Sequence, residues 1–495
     1  MYRRIVSVVA FLGLTLWLVG CTSLGPQLGG QLAMAAEGNI TVIFTDSKGN
    51  YIPGAEVYYY DSGWKLLGIT GDGPTTMYLP KKTDVEIRPA SGGKYKWVGV
   101  DPTTNPTLSI STIPVTVKLE TCRGTPLVGE VFYYKDGWRS IGNTPVTIEL
   151  LPYTGLGPGQ GNYDFRVKYG GRTSPIHTQD IAVNPVVVFK TTKVTLYGPN
   201  VLYYNDGWKP FTSPMEMIGG VSNRYGTVST CDFKFDGPRS PTVTLNIVGC
   251  ELTKCYRIVE LRDSKGNLIT NSGATIVYQP DSAGSYIPFG DGVLDASGRE
   301  AAVVDCGKHR YRLTYLGCTQ EMQTSADIVT YQTHLVTVEL RDSSGALIQN
   351  TGATIVWQPG SAGDYVPFGD GVLNADGTES MEVLPLRHRF RLTYLGATQE
   401  KQSSAAIVTY QTQRVTVELR DSSGNLVTGT DATIVWQPGS AGSYVLFGSN
   451  AELQTYGYTS MEVLPLKYRF RMTYRGKTVE KQTAAATVTY YVSEF

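Results

Sequence analysis

The chain has 495 residues, with 43 Lys+Arg against 43 Asp+Glu and 41% hydrophobic residues. A single core stops growing near about 250 to 300 residues, so this length predicts several domains. The composition is not that of a disordered chain, the zero net charge gives no basic field for nucleic acid, and four His leave little material for metal or acid–base chemistry.

Arg3 and Arg4 open the chain, and Ile5 to Val19 form an apolar run of 15 residues. A membrane span needs about 20, so residues 1–20 read as a signal peptide. Leu18-Val19-Gly20-Cys21 follows at once. It resembles the bacterial lipobox, which implies lipid attachment at Cys21 and cleavage just before it. A second candidate cut follows Ala33-Met34-Ala35, further from the apolar run than an ordinary signal places it. Residues 21–39, rich in Gly, Gln and Ala, read as a lipidated tether. The expected location is therefore outside the cytoplasm, at the cell surface, lipid-anchored or secreted, with the lipid as the only membrane contact.

The remainder repeats. Glu260-Leu261-Arg262-Asp263 recurs from Glu339 and from Glu418, and the stretch from Ala353 to Gly363 recurs unchanged from Ala432 to Gly442. Ser380 to Leu386 recurs one residue late, at Ser460, so an insertion lies between. A looser repeat places Trp64, Trp138 and Trp208 in similar aromatic hairpins. Six units follow: 40–113, 114–192, 193–255, 256–333, 334–412 and 413–495.

Within 334–412, Val336, Val338 and Leu340 alternate with polar residues, the period of a half-buried strand. Six further short strands are expected at 353–358, 365–368, 379–384, 390–394, 398–401 and 406–410. Seven strands at this spacing predict an all-β chain, a tandem array of small antiparallel β-sandwiches with little helix. A strand, then Asp-Ser-x-Gly, then a strand beginning Gly-Ala resembles the immunoglobulin-like and transthyretin-like modules of bacterial surface proteins. The two strand orders stay open. The shorter units are similar to a repeat of large bacterial surface proteins: Tyr134 to Arg139, Phe165 to Gly170 and Asn184 to Thr191 carry that likeness. It implies stalk, adhesion or scaffold roles and no catalytic activity.

Candidate sites follow from chemistry. Tyr60 and Trp64, Tyr134 and Trp138, and Tyr204 and Trp208 flank tight turns, as a ligand-stacking surface for a glycan or a surface protein or as cross-strand pairs that stabilise hairpins. Trp357 with Tyr365 and Trp436 with Tyr444 are read as the same bracket. Asp46 to Asn50 and Asp263 to Asn267 resemble fragments of calcium loops, but lack the full ligand pattern; Asx turns explain them without an ion. No catalytic constellation, cofactor motif or metal set is present. His309 and His388 occupy equivalent positions where the third copy has Tyr468, which points to packing. An isopeptide bond is disfavoured, since Lys118 lies on the polar side of its strand and Glu339 and Glu418 replace it.

Seven Cys in an exported chain leave six once Cys21 is set aside. Cys306 and Cys318 are lost together in the next repeat, as a bridge predicts. Cys250 and Cys255 flank an expected turn at a unit junction, leaving Cys122 with Cys231. Four Cys allow three pairings, and among these four the choice stays open. The expected role is a non-enzymatic cell-surface stalk or adhesin-like scaffold. The alternatives are a carbohydrate-binding array, or a filament subunit that self-associates when strand 487–492 completes a neighbour.

Overall fold

The structure is a computed structural model that describes residues 36–135, 137–152, 162–218, 230–237, 241–439 and 442–495. The signal peptide, Cys21 and most of the tether lie outside the described residues.

The unit at 334–412 shows how the alternation becomes strands. Its strands are His334–Arg341, Thr354–Gln358, Val366–Val372, Thr378–Val383, His388–Tyr394, Ala397–Ser403 and Ile407–Gln411. Val336, Val338 and Leu340 are buried while Thr337 between them is not. The first strand lies between the fourth, antiparallel, and the seventh, parallel. The other sheet runs third, second, fifth, sixth. An immunoglobulin sandwich would place strands 1, 2, 5 and 4 in one sheet and 3, 6 and 7 in the other. The observed order is the transthyretin-like one.

The same pair of sheets recurs along the chain. Gly38–Thr45 lies between Thr75–Leu79 and Thr107–Ser111, and Gln413–Arg420 between Tyr458–Val463 and Thr487–Tyr491. The chain is thus an array of small all-β sandwiches. In units 1 to 5, the seventh strand runs on into the first strand of the next unit. At Thr112, Thr333 and Thr412 one buried residue separates the two. In the middle there is no break. Val186–Tyr197 pairs first with 116–121 and then with 251–255, while Glu251–Arg262 goes on to pair with 328–332. Three first sheets are thereby fused into one of eight strands.

Turns follow local chemistry. Asp46, Asp263, Asp342 and Asp421 each accept backbone N–H groups two and four residues on, through one carboxylate oxygen. The following Gly49, Gly266, Gly345 and Gly424 have φ between 85° and 90°, a region open to glycine. The stretch of the last unit that holds its one-residue insertion contains a helix, Asn450–Tyr456, capped by the Ser449 side chain accepting from Glu452 N–H and ended by Gly457 at φ 77°.

Each of the first three units has its own buried cluster, around Val42, Val117 and Phe233 respectively. Buried side chains of units 4 to 6 instead form one contiguous cluster, from Val259 to Tyr490. Apolar contact therefore crosses the last two joints, although no sheet is shared there.

Candidate functional site

The aromatic pairs sit where the hairpin argument puts them. Tyr60 lies opposite Trp64, Tyr134 opposite Trp138 and Tyr204 opposite Trp208. The rings meet edge to face at 5.5, 5.5 and 5.6 Å. They are half exposed, but two indole faces already carry a cation: Arg166 stands 4.2 Å from the Trp138 ring and Lys96 5.7 Å from Trp64. The bracket expected in the longer units is corrected. Trp357 and Trp436 are core residues, 1% exposed, packed on His388 and Tyr468. Tyr365 and Tyr444 lie on the outer face, under Arg391 and Arg471 and donating to Glu400 and Glu480. They do not pair with the tryptophans. Trp357 holds the register of Tyr133, one residue earlier than Tyr134, and one residue reverses the face.

His309 and His388 are buried struts. In His388, Nδ1 accepts from Gly360 N–H at 3.1 Å and Nε2 donates to the Leu384 carbonyl at 3.0 Å. Tyr468 does the second task with its hydroxyl, donating to the Leu464 carbonyl at 2.6 Å. Burial pushes the His388 imidazole below its ordinary pKa. Among the described residues, no group of three His, Cys, Asp or Glu lies close enough to hold a metal ion.

The cysteine pairings differ from expectation. Cys122 is bonded to Cys250 and Cys255 to Cys306, with Cα atoms 5.0 and 5.1 Å apart. Cys250 cannot reach Cys255, because the expected turn is extended chain running into the strand Glu251–Arg262. Five extended residues span about 16 Å, well past disulfide reach. Cys318 begins the sixth strand, opposite Tyr315, and its thiol is 3.7 Å from His388 Nδ1 rather than beside Cys306. Cys231 faces the core of unit 3, where Arg172 donates to it. Both thiols are free and buried; burial pushes that of Cys318 up to about 11.

These pairings point to the joints between units, where polar side chains recur in one pattern. Glu149, on the fourth strand of unit 2, accepts from Thr112 at 2.6 Å and from Ser47 in unit 1 at 2.5 Å. Glu382 accepts from Thr333 and from the hydroxyl and N–H of Ser264. Glu462 accepts from Thr412 and from both groups of Ser343. In each case a carboxylate of one unit ties down the connecting threonine and the turn after the first strand of the unit before. Unit 2 has Cys122 where those turns have serine, and its disulfide to Cys250 crosses the next joint, beside Arg123 paired with Glu251 at 2.6 Å. Unit 4 has Val303 where Glu382 stands in unit 5, and Cys255–Cys306 crosses that joint. All five joints are therefore fastened on the first sheet: three by a carboxylate, that between units 2 and 3 by a disulfide together with Glu216 accepting from Thr191 at 2.5 Å, and that between units 3 and 4 by a disulfide.

The second sheet makes a separate contact. The hairpin between the fifth and sixth strands meets the turn between the second and third strands of the next unit. Tyr133 donates to the Ser91 carbonyl at 2.9 Å, and Asn205 to the Gly170 carbonyl at 3.2 Å. At Gly317 and Gly396, an added Cβ would stand 3.4 Å from Pro359 and Pro438 of the following unit. Two contacts on different layers oppose bending at a joint more than one would.

Sequence reading missed the joint glutamates, because the pattern is visible only when the fourth strand of one repeat is set against the first turn of the previous one.

No protein-family model matches the chain, and no curated protein matches it. Among solved structures it is similar to the Bacillus anthracis TIE protein (9% identity, TM-score 0.15, covering 74% of this chain and 68% of that one). It is also similar to a streptococcal ancillary pilin (10%, TM-score 0.14, 60% and 99%). A multi-modular glycogen-degrading pneumococcal virulence factor matches as well (8%, TM-score 0.13, 59% and 37%). Likeness at this level carries no functional argument.

Proposed function

We propose that the chain is a non-enzymatic, load-bearing spacer of the cell surface, exported and held to the membrane through a lipid on Cys21. The observation that carries this reading is the parallel pairing of first and last strands in each unit. In a parallel pair the chain enters a unit at one end and leaves at the other, so successive units extend a line. Arg341 lies level with Gln411, and Gln413 opens the next unit two residues on. The advance is about nine extended residues per unit, or about 30 Å at about 3.3 Å each. Six units then span about 180 Å. Tension along that line loads the first–seventh ladder in shear, with its hydrogen bonds sharing the force.

In units 4 to 6 the same ladder carries a polar clamp. Glu339 accepts from Arg341 at 2.7 Å and from Thr409 of the seventh strand at 2.6 Å. Glu260 and Glu418 repeat this with Thr330 and Thr489. The Arg341 guanidinium holds the Glu339 carboxyl below the usual carboxylate range.

The other two functional readings have less support. Glycan stacking needs open ring faces, and a cation already stands over one face of Trp64 and of Trp138. Strand exchange would require Thr487–Tyr491 to leave Thr416–Arg420, its present partner.

Deletion of residues 334–412 tests the spacer directly. Ser264 and Thr333 would then face Glu462, the equivalent of Glu382, so the new joint keeps its fastening. Electron microscopy should show particles shorter by about 30 Å. Unchanged length would contradict the reading.

A further inference from the structure

The two disulfides follow one another along the chain without overlap, spanning 122–250 and 255–306. Between them lie only residues 251–254, at the start of the strand Glu251–Arg262. A pull on the ends of the molecule therefore passes from Cys122 across sulfur to Cys250, along four residues, and from Cys255 across sulfur to Cys306. Residues 123–249 and 256–305 lie off that path.

The segment removed from load includes the first six strands of unit 3, whose second to fourth strands, among the described residues, are together the shortest of the six units. Its second, third and fourth strands, Leu202–Tyr204, Trp208–Pro210 and Met215–Ile218, have 3, 3 and 4 residues. Their counterparts in unit 5 have 5, 7 and 6. Unit 3 also lacks the buried clamp, with Thr195 where units 4 to 6 have glutamate. Its first–seventh ladder is five residues long, like that of unit 5; once that ladder is sheared, strands this short leave few hydrogen bonds to hold the rest of the sandwich.

We propose that the disulfides are a covalent load bypass that shields unit 3 from extension, so that the array under tension unfolds only outside 123–249 and 256–305. This rests on the spacer reading above. The bypass opens when a dithiol reduces each bridge, giving two protein thiols and the cyclic disulfide of the reductant.

The two free buried thiols report on it. Cys231 lies inside the bypassed segment and Cys318 lies outside both loops. The full chain, held by its ends in magnetic tweezers with a fluorescent maleimide present, should label at Cys318 under load and not at Cys231. With Cys122→Ser and Cys250→Ser together, both should label. The unfolded chain should also lengthen by about 450 Å, from 128 residues at about 3.5 Å each. Labelling of Cys231 at the load that labels Cys318 in the oxidised chain would overturn the bypass, as would an unchanged length in the double variant. Those results leave the spacer reading standing if the unloaded particle is a rod. A compact unloaded particle overturns the spacer reading instead.

Discussion

In unit 6 a phenol takes the place of the imidazole that units 4 and 5 bury. The exchange shows that His388 serves as a packed donor, and it gives a pH test. Burial lowers the folded pKa, so below the ordinary value near about 6.5 the unfolded chain binds more protons than the folded one. Stability of unit 5 is unaffected above that value. It falls as the pH drops below it, by at most about 1.4 kcal/mol per pH unit. His334, also lowered by burial, adds in the same direction. Thermal unfolding should therefore shift downward between pH 7.5 and pH 5, and His388→Tyr should reduce the shift. Equal shifts in both proteins would contradict the assignment. The Tyr468 exchange was legible in the sequence because the repeats supply their own comparison. The Trp357 bracket was misread for a physical reason: a strand's period is two, and a one-residue error in aligning unlike repeats turns a core indole into a surface ring.

At the scale of elements, strands were the most legible feature, since Val, Thr and aromatic alternation fixes which face is buried. All seven strands of unit 5 fall within a few residues of the reading. The cysteine partners were not legible, because Cys250 and Cys255 look like a hairpin pair until the chain between them is seen to be straight. The joint carboxylates were hidden too, as they act between units about 118 residues apart in the chain. Glu462→Ala removes the acceptor for Thr412 and for both groups of Ser343. Each lost hydrogen bond contributes about 0.5 to 1.5 kcal/mol. Hydrogen exchange should quicken around Thr412 and Ser343, with the Ser264–Glu382 joint unchanged. Protection retained at Thr412 would show that apolar contact alone holds the joint.

On the whole-molecule scale, two features set stiffness. Polar or covalent fastenings recur at every joint, and the buried side chains of units 4 to 6 touch without a gap. Small sandwiches bury little surface each, so these contacts supply both stability and alignment. Tandem organisation was plain from the repeats. Fusion of three first sheets was not, since it depends on Val186–Tyr197 and Glu251–Arg262 running unbroken where threonine interrupts the other joints.

Small-angle scattering of the mature chain, oxidised and unloaded, tests the central claim most directly. A line of six units predicts a maximum dimension near about 180 Å and a radius of gyration of about 50 Å. A radius near about 23 Å, as for a compact globule of this length, would contradict it.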